Sequence, residues 1–156
     1  MEKPGVITCL CEFQSEYIDI IFERGIKMGN KKVNFYLCTT CGNLVTCLNE
    51  GGGTLVCCGE PMEKLEANTV DAAREKHVPY VKDHGSRIVV TIGADKHPMI
   101  EQHHIDWIAL LTNRSIYIKW LEHDEEPTVS FKLADQEVAT AAYAYCNLHG
   151  LWKKDL

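Results

Sequence analysis

The stretch Cys146-Asn147-Leu148-His149-Gly150-Leu151-Trp152 follows an alternating run of small residues from Val138 to Tyr145, and its reading decides the fold of the second half of the chain. The run reads as a strand. A thiol and an imidazole three residues apart, just past the end of that strand, can turn their donor atoms toward one point. That point reads as a metal ion. Alone the pair is weak evidence, because a buried Cys commonly behaves as a small inert hydrophobe and a lone His as a surface or satisfied core residue. Further imidazoles strengthen it: His77 in Lys76-His77-Val78-Pro79, and His97 and His103 at the ends of His97-Pro98-Met99-Ile100-Glu101-Gln102-His103. The fold then has to bring these three to Cys146 and His149.

Outward from that stretch the chain is β-rich. Arg87 to Gly93 is a β-branched run, and Ile105, Trp107, Ala109 and Leu111 alternate with Asp106, Ile108 and Leu110. Ile116, Ile118 and Trp120 alternate with Tyr117 and Lys119, and Thr112-Asn113-Arg114-Ser115 between the two runs reads as a hairpin turn. Val129 to Leu133 and Glu137 to Tyr145 complete the set. Short strands separated by turn signals, without long helical periodicity, predict an antiparallel β-sandwich. Glu63 to Arg74 reads as a polar connection with a helical turn around Asn68 to Ala73.

From Val33 to Met62 the composition becomes rich in Cys, Gly and Thr. Asn34 to Leu37 and Thr54 to Val56 are short β segments that lead into Cys38-Thr39-Thr40-Cys41-Gly42 and Cys57-Cys58-Gly59-Glu60-Pro61. Four thiols in two pairs point to a tetrahedral zinc or iron site. A module of this size without such a staple would lack a core. A zinc ribbon normally has CxxC at both ends, whereas Cys57 and Cys58 are adjacent and both can bind only if the backbone bends. Iron in a one-electron site is therefore preferred, with zinc the alternative. Cys47 stands outside the pattern and reads as a buried free thiol.

A chain of 156 residues can form one ordinary domain, or a medium one with a very small one. No apolar run approaches the roughly 18 residues of a membrane span. Close thiol pairs without a signal peptide favour metal binding in a reducing, cytoplasmic setting over a disulfide scaffold. A net charge of -6 argues against nucleic acid as the main partner. Residues 1–32 are expected to be a poorly ordered extension in which Cys9-Leu10-Cys11 is too close and isolated to form a site. Met28-Gly29-Asn30 reads as a natural start, with the first 27 residues a mis-assigned upstream extension.

Taken together, Cys38-x-x-Cys41, Cys57-Cys58-Gly59-Glu60-Pro61-Met62, Glu75-Lys76-His77-Val78-Pro79, His97-Pro98-Met99, His103 and Cys146-Asn147-Leu148-His149-Gly150-Leu151-Trp152 resemble desulfoferrodoxin, the two-iron class of superoxide reductase. The match runs in order from about Val33 to Trp152. The resemblance implies a mostly β protein in two parts: a small desulforedoxin-like four-cysteine metal knuckle over 33–68, and an immunoglobulin-like antiparallel β-sandwich over 69–156. It implies two non-haem irons, one held by Cys38, Cys41, Cys57 and Cys58. The other would have His77, His97, His103 and His149 as equatorial ligands, Cys146 as the axial thiolate and an open sixth position. Glu75 would close that position in the oxidised form, and Lys76 would attract superoxide and assist proton delivery. A rubredoxin-like donor and a homodimer are implied as well.

The donor types support the chemistry without the family. Four neutral imidazoles and one thiolate leave ferrous iron with a formal charge of about +1, which draws an anion even to an acidic protein. A thiolate opposite the open position pushes electron density through the metal. Of the remaining candidates, His104 reads as facing away from His103, and His84 and His123 as exposed in loops. Trp107 and Trp120 read as core. Met99 keeps a blue-copper electron carrier as a rival, since Cys, two His and Met describe such a site. A structural zinc-ribbon module is the second rival.

Overall fold

The computed structural model describes residues 32–70 and 72–156, and the expectations for Cys9, Cys11 and the N-terminal start lie outside them. Twelve strands and one helical turn account for the regular structure among the described residues. The first five strands are short: β1 (Phe35–Leu37), β2 (Leu44–Thr46), β3 (Val56–Cys57), β4 (Glu60–Pro61) and β5 (Glu63–Lys64). They form a three-stranded antiparallel sheet in the order β2-β1-β5 and a small β3-β4 hairpin. The helical turn α1 (Arg74–His77) follows. It stops where it does because Val78 precedes Pro79, which forces Val78 into extended backbone at φ -66 and ψ 130. The turn thus falls beyond Asn68 to Ala73, where sequence placed it, and Glu63–Lys64 is paired strand rather than loose connection.

The remaining strands make the sandwich. β6 (Pro79–Asp83), β7 (Arg87–Ile92) and β10 (Thr128–Lys132) form one sheet in the order β10-β7-β6. Pro79 begins β6 on the edge of that sheet, where a missing ladder donor is tolerated. β8 (Ile105–Thr112), β9 (Ile116–Trp120), β11 (Ala139–Cys146) and β12 (Gly150–Asp155) form the other, in the order β12-β11-β8-β9. The anticipated hairpin is present, with β8 and β9 joined through a turn closed by Thr112 N–H donating to Ser115 O at 2.9 Å. The architecture is the expected one, a four-cysteine knuckle beside an antiparallel β-sandwich.

The four-stranded sheet is covered on both faces, which explains why its strands read as almost unbroken apolar sequence. Toward the sandwich interior, Ile108 and Leu110 of β8 and Ala142, Ala144 and Cys146 of β11 meet Ile88, Val90 and Ile92 of β7 and Phe131 of β10. On the opposite face Trp107, Ala109, Leu111, Ala141, Tyr143 and Leu151 pack against Phe35 of β1, with Leu44 and Leu65 alongside. The Phe35 ring lies 5.0 Å from that of Trp107 and 5.5 Å from that of Tyr143. The knuckle is therefore seated on the sheet.

At two places the structure departs from the sequence pattern. Ile105 does not share a face with Trp107: the β8–β11 register shifts between Tyr145↔Trp107 and Cys146↔Ile105, and this bulge at Asp106 turns Ile105 into the sandwich interior. Trp120 is not core. It ends β9, the outer strand of its sheet, and is 77% exposed beside a groove lined also by Val45 and Thr46.

Phe35→Ala removes the side chain that seats the knuckle and should lower unfolding stability by about 3–5 kcal/mol in chemical denaturation. A loss under about 1 kcal/mol would mean the two parts do not share a core.

Candidate metal centres

Five donor side chains converge at one end of the sandwich. His77 comes from α1, His97 and His103 from the connection between β7 and β8, Cys146 from the end of β11, and His149 from the β11–β12 turn. One ligand atom from each lies within 4.8 Å of every other. The orientation of each ring follows from what its outer nitrogen does. His77 Nδ1 donates to Ala73 O at 2.7 Å, and His97 Nδ1 donates to Pro98 O at 2.6 Å, so in both rings Nε2 faces the cluster. The Nε2 atoms of His97 and His103 are buried without a hydrogen-bond partner. His149 presents Nδ1 instead, 2.8 Å from His77 Nε2 and 3.6 Å from Cys146 Sγ. Two nitrogens each about 2.1 Å from one ion and at right angles would stand about 3 Å apart, so the His77–His149 spacing is what shared coordination gives.

Burial sets the protonation of this group. It depresses His77 and His103, and takes His97 down to about 4, so at neutral pH the rings are uncharged and able to bind a cation. Burial raises the Cys146 thiol, opposed by the backbone N–H groups of Leu148 and His149 that point at its sulfur. A cation is the missing element that ionises the thiol and partners the orphaned nitrogens. The residues present fit a metal ion.

Around the group, Trp152 is fully buried and lies flat against His77, with ring centres 4.7 Å apart and planes at 23°. Sequence flagged Trp152 only as part of a motif; its packing role shows in the fold. Gly93, at φ +81, lies against the turn that carries Glu75 and Lys76. A Cβ there would meet Lys76 O at 2.6 Å and Asp95 O at 2.3 Å. Glu75 and Lys76 are exposed on α1, and Glu75 is not a member of the five-donor group. Met99 is not one either: its sulfur accepts from Ile105 N–H at 3.3 Å and the side chain packs on the core, which removes the fourth ligand of a blue-copper site. His104 turns away toward Asp106 at 3.0 Å, and His84 and His123 are exposed, as read.

The knuckle gathers the Sγ atoms of Cys38, Cys41, Cys57 and Cys58 within 4.8 Å of one another. Cys41 and Cys57 are 3.6 Å apart and Cys57 and Cys58 3.9 Å apart. Sulfurs each about 2.3 Å from a central ion would form a tetrahedron with edges of about 3.8 Å. The adjacent pair manages this because Cys58 adopts φ 53, a left-handed conformation rare for a residue with a Cβ, followed by Gly59 at φ 84. Asn43, which sequence did not single out, donates Nδ2–H to Cys57 Sγ at 3.6 Å. The Cys41 backbone N–H chiefly holds Cys38 down at about 6, while hydrogen bonds to Cys41, Cys57 and Cys38 push Cys58 up to about 12. Four thiolates this close need a cation. Cys47 is half-buried and outside the group.

A family model described as "Desulfoferrodoxin" matches residues 69–155, and one described as "Desulfoferrodoxin, N-terminal domain" matches residues 30–65. The chain belongs to the desulfoferrodoxin family. A desulfoferrodoxin from Syntrophotalea carbinolica is 44% identical over 125 residues, which cover 80% of this chain and 98% of that protein. A desulfoferrodoxin homolog from Archaeoglobus fulgidus is 42% identical over 118 residues, covering 76% and 93%. Among solved structures, the superoxide reductase from Treponema pallidum superposes with a TM-score of 0.68 at 34% identity, covering 80% of this chain and 100% of that chain. No helix among the described residues is long and apolar enough to cross a membrane.

Two outcomes follow from these contacts. Because His97 titrates lower in the folded than in the unfolded chain, the unfolded state binds more protons between about 4 and 6.5. Stability of the metal-free protein should therefore fall as pH drops through that range, and a melting temperature flat from pH 7 to 4 would contradict the burial of this ring. Gly93→Ala should displace the Lys76 turn and its His77, detected as lower metal content at the five-donor site with the four-thiol site still filled.

Proposed function

We propose that this protein is a superoxide reductase, reducing superoxide by one electron to hydrogen peroxide. The observation that carries the reading is the convergence of four imidazoles and one cysteine on a chain that matches a superoxide reductase of known structure over that protein's full length. His77, His97, His103, His149 and Cys146 would together hold iron. Cys38, Cys41, Cys57 and Cys58 would hold the second iron, with zinc the alternative there. Residues 33–68 and 69–156 would then be the two units, each with one metal. Ferrous iron bound by the imidazoles and Cys146 would supply the electron that superoxide accepts.

The chain's own residues do the rest. Cys146 is aligned by the N–H groups of Leu148 and His149, which moderate how strongly its sulfur donates. The exposed Lys76 ammonium, whose charge reaches both His77 and His103, attracts the anion and holds the water that delivers protons to the departing peroxide. Glu75, on the same exposed turn, covers the oxidised site until an external donor returns an electron. A rubredoxin-like protein fits that donor role, in the cytoplasm, and a homodimer fits the family.

Lys76→Ala should slow the second-order reaction with superoxide in pulse radiolysis and flatten its dependence on ionic strength; an unchanged rate and salt slope would remove the steering role. Reduced wild-type protein should consume superoxide without evolving oxygen. Oxygen evolution would mark a dismutase instead.

A further inference from the structure

The β8–β11 ladder runs from Ala139↔Thr112 to Cys146↔Ile105, and beyond Cys146 the chain turns away through Leu148 and His149. No backbone of β11 remains to pair with the segment that carries His103. Asn147 takes its place. Its backbone N–H donates to His104 O at 3.1 Å, its Oδ1 accepts from His104 N–H at 2.9 Å, and its Nδ2 donates to Gln102 O at 3.1 Å. The side-chain amide thus supplies both the donor and the acceptor that a further peptide unit would have offered. Asn147 Oδ1 also lies 3.9 Å from Cys146 Sγ.

These bonds flank His103 on both sides. Apart from them, among the described residues, its segment is held chiefly by its own tight turn, in which Ile100 N–H and His103 N–H exchange bonds with the opposite carbonyls at 3.1 and 2.9 Å. That turn fixes the loop's shape, Met99 and Ile105 anchor its ends in the core, and the Asn147 bonds tie the backbone on either side of His103 to the residue that follows Cys146. We infer that Asn147 is a positioning residue that sets the distance between the His103 ring and the Cys146 thiolate across the metal site. The inference rests on the metal assignment proposed above. Because Asn147 is exposed, truncating it removes the cross-link without opening a cavity in the core.

The test uses the full-length, iron-loaded protein. The part of its visible absorption that disappears in Cys146→Ser identifies the Cys146-to-iron band, and the part that disappears in Cys41→Ser reports the knuckle. Asn147→Ala should shift the Cys146 band and release that iron at about tenfold lower chelator concentration, with the knuckle band intact. Glu101→Ala, an exposed side chain on the loop that carries His103, should do neither. A band at the wild-type position with chelator resistance within about twofold of wild type would overturn the inference, as would equal loss of both bands. Absence of any Cys146-dependent band in the wild type would instead overturn the metal assignment, and the inference with it.

Discussion

Everything at the functional end of this molecule answers to one constraint: five side chains with metal-ligand donors, three buried and two half-buried, gather their donor atoms within 4.8 Å of one another. Separately, each burial is unfavourable, because a desolvated imidazole nitrogen without a partner loses its hydrogen bond to water. The fold satisfies the outer nitrogens of His77 and His97 with the carbonyls of Ala73 and Pro98, and leaves the Nε2 atoms of His97 and His103 without a partner in the protein. An arrangement that is costly as a set of free side chains becomes favourable once a cation sits among them. The same burial that keeps the rings neutral makes them ready ligands.

The sandwich supplies what this constraint needs. Its four-stranded sheet is packed on one face by β7 and β10 and on the other by the knuckle, so the end of β11 that presents Cys146 is held from both sides. The knuckle solves a related problem on a smaller scale, with the backbone of Cys58 turned into a left-handed conformation to bring adjacent thiols to one tetrahedron. Phe35, three residues before Cys38, is the physical link between the two sites' supports.

Much of this was legible in the residues. The strands around Val89, Ile108, Ile118, Phe131 and Ala142 were readable because each is long enough to show a period, and the thiol pairs because ligand spacing is a local property. β6 and β12 show no strand pattern in the sequence because Pro79 opens one and the Cys146-to-Trp152 motif runs into the other. β2, β4 and β5 are two or three residues long, too short for any period. Trp120 looked like core because alternation tells which residues share a face, not whether that face is covered. The Asp106 bulge and the bonds of Asn147 depend on register between segments some 40 residues apart in the chain. No local pattern encodes that register, and an Asn in a turn has many simpler explanations.

Anomalous diffraction at the iron edge from crystals of the chemically reduced protein tests most directly whether the five donors share one ion. The account predicts iron bonded to His77, His97, His103, His149 and Cys146, with no sixth protein ligand. A site without iron, or an ion whose six positions are all taken by protein, would contradict it.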